Sequence, residues 1–398
     1  MTDWPRHTLG EVLELLIDHR GKTVKKLGGS FQESGVRVVS AINIKGSRIN
    51  DENPRYVSEA IFRKWMPNQL RRGDVLLTSE APLGEMAYVE SDLEACLGQR
   101  LFALRANPQM VDGRYLYYAL SWGPSHEEIL SRATGTTVVG IRQAELVKVT
   151  IALPPLAEQR GIAEMLGSLD DKIESNRRTI SLLNDLMESV YRASLREQSL
   201  LAAEVLSPVL GGTPRRDESS YWNGVVPWSS AKDVTANEGS VILTTAEMIS
   251  YEGVANSAAK VLPAGTTVIT ARGTVGAMAR LGAPMAFNQS CYGLIPVDGI
   301  SPLEVYWSMR LAVAELRRMA HGTVFDTITM ATFSNIELRL PRADIRETVL
   351  GQLTSFDMLL QAKLRESSIL SILRSALLPL LITGRIQVHV ASELVESS

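Results

Sequence analysis

Apolar residues follow two different periods in this 398-residue chain, and the periods alternate along its length. Over residues 1–153, short β-branched runs (VRVVSAINI, DVLLTS, VKVTIAL) are divided by Gly, Pro and Asn turns. That pattern predicts strands of a mixed or antiparallel sheet, with a helix near 112–131. Residues 200–340 repeat the organisation, with VVPWSS, TTVITA, YGLIPV and IELRLP as strands and a helix near 302–319. Between and after these blocks the period changes to steps of three and four. Pro154-Pro155 closes a strand and opens a helix. Ile162, Leu166, Leu169, Ile173, Asn176, Ile180, Leu183, Met187 and Val190 then mark a heptad seam, on a helix about 60 Å long at about 1.5 Å per residue. A second seam over 343–381 carries Val349, Leu353, Phe356, Leu360, Lys363, Ser367, Leu370, Leu377 and Leu381.

The two halves are copies. LRRGDVLLTSEAPLGEMAYV (70–89) aligns without a gap on LPAGTTVITARGTVGAMARL (262–281), placing Leu70 on Leu262, Gly73 on Gly265, Thr78 on Thr270, Gly84 on Gly276 and Met86 on Met278. ATGTTVVGI (133–141) matches AHGTVFDTI (320–328), and Pro154 matches Pro341. A period of roughly 190 residues is far beyond a solenoid repeat of about 20–50, so each copy is a domain-sized globule followed by a long helix. Asn176 maps onto Lys363, so both seams turn polar in the middle, a known way to fix register and partner choice. An antiparallel pairing of the two helices would bring those positions together. The reading is an α+β fold: two similar α/β globules separated by two long antiparallel helices in a coiled-coil-like rod, with pseudo-twofold symmetry. The segments are 1–153, 154–199 (central helix), 200–340 and 341–398 (second helix and tail). Amphipathic helices laid on an ordinary core are the alternative.

Composition narrows the class. With 45% apolar and 21% charged residues the chain is an ordinary globular sequence. No apolar run is long enough to span a membrane, and the N-terminus has no secretion signal. Cys96 and Cys291 read as buried thiols in a reducing cytosol, so a cytoplasmic protein is expected. The net charge of −3 suits a nucleic-acid binder only if charge is segregated. Between Arg20 and Arg48, seven cations (Arg20, Lys22, Lys25, Lys26, Arg37, Lys45, Arg48) face one acid, Glu33. A solvated surface and phosphate contact both fit this run. In the second globule Arg215, Arg216, Lys232 and Arg272 are scattered among small and aromatic residues.

Motifs for catalysis are missing. NPRY (53–56) has Arg where the Asn-Pro-Pro-aromatic motif of amino-methyltransferases needs its second Pro, and reads as a turn. GKT (21–23) resembles the end of a P-loop, but Leu16 stands where the first Gly belongs. GTVG (273–276) lacks dinucleotide-loop spacing. His7, His19, His126, His321 and His389 show no metal-ligand spacing.

Three segments carry a resemblance that covers essentially the whole chain. GGTPRRDESSYWNGVVPWSSAKDV (211–234) resembles the opening of a target-recognition domain in the specificity subunits of type I restriction–modification enzymes. LPPLAEQRGIAEMLGSLDDKIESNRRTISLLNDLMESVYRASL (153–195) is similar to their central helical region, and LLPLLITGRI (377–386) to their C-terminal helix end. The first domain departs with Lys22-Thr23-Val24 in place of Thr-Pro and SEAPLGE in place of Ser-Arg-Gly-Thr-x-Gly. The second helix departs with PRADIRET. The resemblance implies that each globule reads one half of a split double-stranded DNA site, in the major groove. The helices would set the gap and dock two modification (methyltransferase) subunits. Restriction (translocase/nuclease) subunits would join them. The chain itself would catalyse nothing and hold no cofactor or metal. S-adenosylmethionine, ATP and Mg would belong to the partners, and no membrane is involved. Side chains suited to phosphate or base edges are Arg20, Lys22, Lys25, Lys45, Arg48 and Gln99 in the first globule. In the second they are Thr213, Arg215, Trp222, Trp228, Lys232, Arg272, Asn288 and Gln289. Trp222 and Trp228 serve either as core or as contacts, and Gln99 and Gln289 either read bases or brace a turn. A protein–protein adaptor built on paired helices and an enzyme with an unfamiliar site are the competing functions.

Overall fold

The computed structural model describes residues 4–50, 53–136, 138–319 and 327–388. It divides into two compact units, Met1–Lys172 with Leu370–Ser398, and Ile173–Ile369.

Each unit is built on the same pair of sheets. In the first, a four-stranded antiparallel sheet runs in the order Leu13–Asp18, Leu101–Ala106, Val75–Thr78, Met86–Tyr88. Beside it Val36–Val39 pairs antiparallel with Arg55–Val57 and parallel with Ala95–Leu97. In the second, Leu206–Leu210, Cys291–Pro296, Thr267–Thr270 and Met278–Leu281 follow the same order, and Val241–Ile242 adds a parallel edge. The small sheet recurs too: Trp222–Ser229 pairs antiparallel with Glu247–Ile249 and parallel with Ala286–Phe287. The expected strand over IELRLP is only Glu337–Leu338. The expected helix over 112–131 is two helices, Gly113–Ser121 and Gly123–Ser131. The break falls where Trp122 is extended and Gly123 takes φ +65°, a left-handed conformation that glycine accepts without a Cβ clash.

The long helices span Leu156–Ser194 and Arg346–Ile382, and their seam positions are buried or half-buried. In the first unit Ile162, Ala163 and Leu166 join Tyr115, Leu381 and Ile382 in one core. Arg374 Nη1 meets Asp170 Oδ1 at 2.8 Å, Tyr118 donates to Asp170 Oδ2 at 2.6 Å, and the Val388 N–H donates to Glu158 at 2.9 Å. Rising numbers on one helix meet falling numbers on the other, so the segments in this unit are antiparallel. In the second unit Leu183, Met187 and Tyr191 pack with Val349, Leu353, Leu360 and Trp307. Asn176 is buried with Nδ2 unpartnered, whereas Lys363 turns to Glu366 at 2.9 Å. No hydrogen bond joins the two polar seam residues among the described residues. The second seam also buries an acid that its periodicity does not announce. Asp357 pairs with Arg280 of the large sheet at 2.5 Å.

Glu304 is fully buried and accepts from Arg346 Nε and Nη2, both at 2.6 Å, and from the Ser301 N–H at 2.9 Å. Arg346→Ala strands that carboxylate, which costs about 3–5 kcal/mol for a buried pair. A fall of that size in the urea-unfolding free energy is expected. Glu304→Leu together with Arg346→Met should restore most of it, since neither charge is then buried alone. A single variant as stable as the unchanged chain would contradict the assignment. Cys96 and Cys291 are both buried, and burial pushes each thiol up to about 12.

Candidate nucleic-acid interface

The duplicated turns have the same hydrogen-bond skeleton. The Thr78 N–H donates to Glu85 O at 2.8 Å, the Gly84 N–H returns to Thr78 O at 3.1 Å, and Thr78 Oγ1 accepts from the Glu85 N–H at 2.9 Å. In the second unit the Thr270 N–H donates to Ala277 O at 2.9 Å, the Gly276 N–H to Thr270 O at 2.9 Å, and Thr270 Oγ1 accepts from the Ala277 N–H at 3.0 Å. SEAPLGE therefore builds the turn that ARGTVGA builds. Beyond it, the Ile141 N–H donates to Ser79 O and the Ile328 N–H to Ala271 O, at 2.9 and 3.0 Å. The AHGTVFD segment before Ile328, with His321, lies outside the described residues, as does His389.

The parallel strand pair of the first unit brings Lys22, Lys25 and Gln99 into one cleft of about 760 Å³. Arg55 and Arg100 line it too, so among the described residues four cations and no carboxylate line it, with Arg100 paired to Glu80 at 2.9 Å. Lys25 is exposed. Lys22 Nζ reaches Trp65 O at 3.4 Å, and Gln99 Nε2 donates to Lys22 O at 3.1 Å. The glutamine thus braces the loop that carries the lysines. Beneath that loop, burial and then the Lys22 charge hold the His19 imidazole below its ordinary range. Arg20 is held elsewhere, clamped on Asp18 at 2.5 Å with its guanidinium 4.7 Å from the Phe102 ring centre. Lys45 and Arg48 face each other across a two-residue hairpin ladder and do not line the cleft.

The second unit repeats the brace: Thr213 Oγ1 donates to Gln289 Oε1. Gln289 follows Asn288, whose N–H donates to Ser229 O at 3.0 Å, as Gln99 follows Gly98, whose N–H donates to Val39 O at 2.6 Å. Asn288 Oδ1 is occupied by the Ser290 N–H at 3.1 Å. Trp228 is a core residue, 2% exposed, with Nε1 donating to Gly212 O at 3.0 Å. Its part at any interface is to support Trp222, which meets it edge-on with ring centres 5.3 Å apart. Arg215 is exposed and pairs with Asp217 at 2.7 Å. Lys232 and Arg272 are exposed, on the Ala231–Ala236 helix and in the duplicated turn.

Several residues of these surfaces are not among the candidate contacts chosen from the sequence. Arg216 lies 3.8 Å from the Trp222 ring centre and forms a two-pronged pair with Glu247, whose carboxyl that arginine holds below the usual range. Phe31 and Ile42 are 47% and 55% exposed in the first cleft, where Arg55 stands 5.2 Å from the Phe31 ring centre. Aligning Ser40-Ala41-Ile42-Asn43 with Ser230-Ala231-Lys232-Asp233 is the signal that could have found Ile42. Among the described residues no group of three or more His, Cys, Asp or Glu could hold a metal ion, and no helix is long and apolar enough to cross a membrane.

Two copies of one α+β unit, each with exposed cations on a braced loop or turn, define a two-part recognition protein. The chain matches the type I restriction modification DNA specificity domain over residues 1–184 and again over 204–367. It therefore belongs to that family, as a two-domain specificity subunit with no catalytic role of its own. It is 22% identical to the putative type I restriction enzyme MjaX specificity subunit of Methanocaldococcus jannaschii, over 97% of this chain and 94% of that one. It is 20% identical to the HindI specificity subunit of Haemophilus influenzae, over 97% and 100%. The fold resembles the crystal structure of a type I restriction–modification S subunit from M. genitalium, with a TM-score of 0.59 at 15% identity over 95% and 96% of the chains.

Proposed function

We propose that residues 1–153 and 200–340 are the two target-recognition domains, each reading one half of a bipartite duplex site in the major groove. The segments 154–199 and 341–398 set the gap between the halves and dock two methyltransferase subunits. The observation that carries this reading is the first-unit cleft, where Lys22, Lys25 and Arg55 line the wall with no carboxylate among the described lining residues in a chain of net charge −3. That segregation favours phosphate, which positions a protein on DNA, while side chains at base edges specify sequence. Docking on the helices is supported by exposed apolar pairs four residues apart on one helix face, Leu182 with Leu186 and Ile369 with Leu373, since grouped exposed apolar side chains mark contact surfaces.

The site residues fall into three sets. Lys22, Lys25, Lys45, Arg48, Arg215 and Arg272 serve phosphates or guanine. Gln99, Gln289, Thr213 and Asn288 shape the loops from which bases are read, and Arg20 and Trp228 hold the frame. S-adenosylmethionine is bound by the methyltransferase subunits. ATP and Mg are bound by the restriction subunits. The complex works on cytoplasmic DNA.

The test is duplex binding by the chain assembled with methyltransferase subunits. Sequence-specific binding should fall steeply with salt, by about 0.9 in log K per log salt for each phosphate contact. An assembled complex that ignores DNA, or binds it with no salt dependence, would favour the adaptor reading.

A further inference from the structure

The two units build the same helical turn at the end of the small sheet's central strand, with different chemistry at one exposed position. In the first, the Ser40 N–H and hydroxyl both donate to Asn43 Oδ1, at 3.0 and 2.9 Å. In the second, the Ser230 N–H and hydroxyl donate to Asp233 Oδ2, at 2.8 and 2.7 Å. Each turn follows a strand whose last carbonyl, Val39 O or Ser229 O, takes the N–H of the residue before the bracing glutamine. Ile42 therefore occupies the place of Lys232.

An exposed isoleucine is unremarkable by itself. Ile42, however, shares its cleft with exposed Phe31 and with Lys22, Lys25 and Arg55. An apolar spot framed by cations complements a duplex, where phosphates flank a major groove whose one apolar feature is the thymine C5-methyl group. We infer that Ile42 is a specificity-determining residue of the first half-site, selecting thymine at one position through that methyl group. Lys232 does the corresponding work in the second half-site with a hydrogen-bonding head, which suits guanine O6 and N7. The inference rests on the DNA-reading function proposed above.

The experiment uses the chain assembled with methyltransferase subunits and duplexes in which each thymine of the recognised site is replaced singly by deoxyuracil, removing only the methyl group. One such replacement, in the half-site assigned to residues 1–153, should weaken binding about fourfold, the worth of one buried methylene-sized group. Ile42→Ala should bind the thymine and uracil duplexes equally at that position. Ile42→Val and Lys232→Ala should keep the difference, and Ile42→Lys should shift the preferred base there toward guanine. If no uracil weakens binding, if that half-site lacks thymine on both strands, or if Ile42→Ala loses the same factor as the unchanged chain, Ile42 does not read a methyl group. Those outcomes leave sequence-specific binding intact. Its absence in the unchanged complex would instead overturn the DNA-reading function.

Discussion

A complex carrying Lys22→Ala, Lys25→Ala and Arg55→Ala together is expected to lose about 2.7 from the slope of log K against log salt, about 0.9 for each phosphate contact removed. Affinity should drop most at low salt and the loss should shrink as salt rises. The three side chains line one cleft. The Lys25 side chain has no ion pair or hydrogen bond among the described residues, and Lys22 Nζ has only a 3.4 Å contact to Trp65 O. Surface truncations of this kind leave folding stability within about half a kcal/mol, so a binding loss is not an unfolding loss. Arg63→Ala serves as the comparison. Arg63 is exposed, pairs with Glu59 at 2.9 Å and lines no part of the cleft, so its removal should leave the slope unchanged. Titrations of the triple variant and of Arg63→Ala across a salt series check both. Equal slopes for the triple variant and the unchanged complex would mean that the cleft does not face phosphate.

Much of this architecture is written in periodicity. The heptad seams are legible because a helix repeats its buried face every three or four residues, and Ile162, Leu166, Leu183, Met187, Leu353 and Leu360 are all buried as that spacing requires. The duplicated turn is legible because Gly84 and Gly276 both need positive φ, at 89° and 82°, a demand that preserves glycine through duplication. The cleft is another matter. Lys22 and Gln99 are 77 residues apart yet hydrogen-bonded; the parallel pairing of Val36–Val39 with Ala95–Leu97 brings Gln99 in, and the antiparallel pairing with Arg55–Val57 brings Arg55. Parallel partners leave no short turn signal between them. Asp357 escaped for a related reason. It sits on the buried face, but what permits its burial is Arg280 on a strand far away in sequence, and no local pattern announces a distant counter-charge. The helices over 112–131 read as one because only Trp122 separates them, although Gly123-Pro124 marks the break: Gly123 takes φ +65° and Pro124 sits in the second helix's first turn.

The larger expected effect concerns which DNA is recognised. Exchanging residues 1–153 for the same segment of a relative should replace one half of the recognised sequence outright. Each unit has its own buried clusters: Val75, Phe102 and Tyr115 belong to one in the first unit, and Ile269, Tyr292 and Met309 to one in the second. Self-contained cores of this kind let one domain be exchanged while the other keeps its conformation. The donor segment must still pack on Ile162, Leu166, Leu381 and Ile382, which belong to the first unit's core but lie outside the exchanged residues. A relative with matching apolar residues at the facing positions of Tyr115 and Leu116 meets that condition. The deciding measurement is the map of methylated adenines in DNA from cells that carry the chimaera with its methyltransferase subunits. One half of the methylated sequence should change while the other half and the gap stay as they were. A map in which both halves change together, or in which neither changes although methylation is complete, would contradict the assignment of one half-site to each unit.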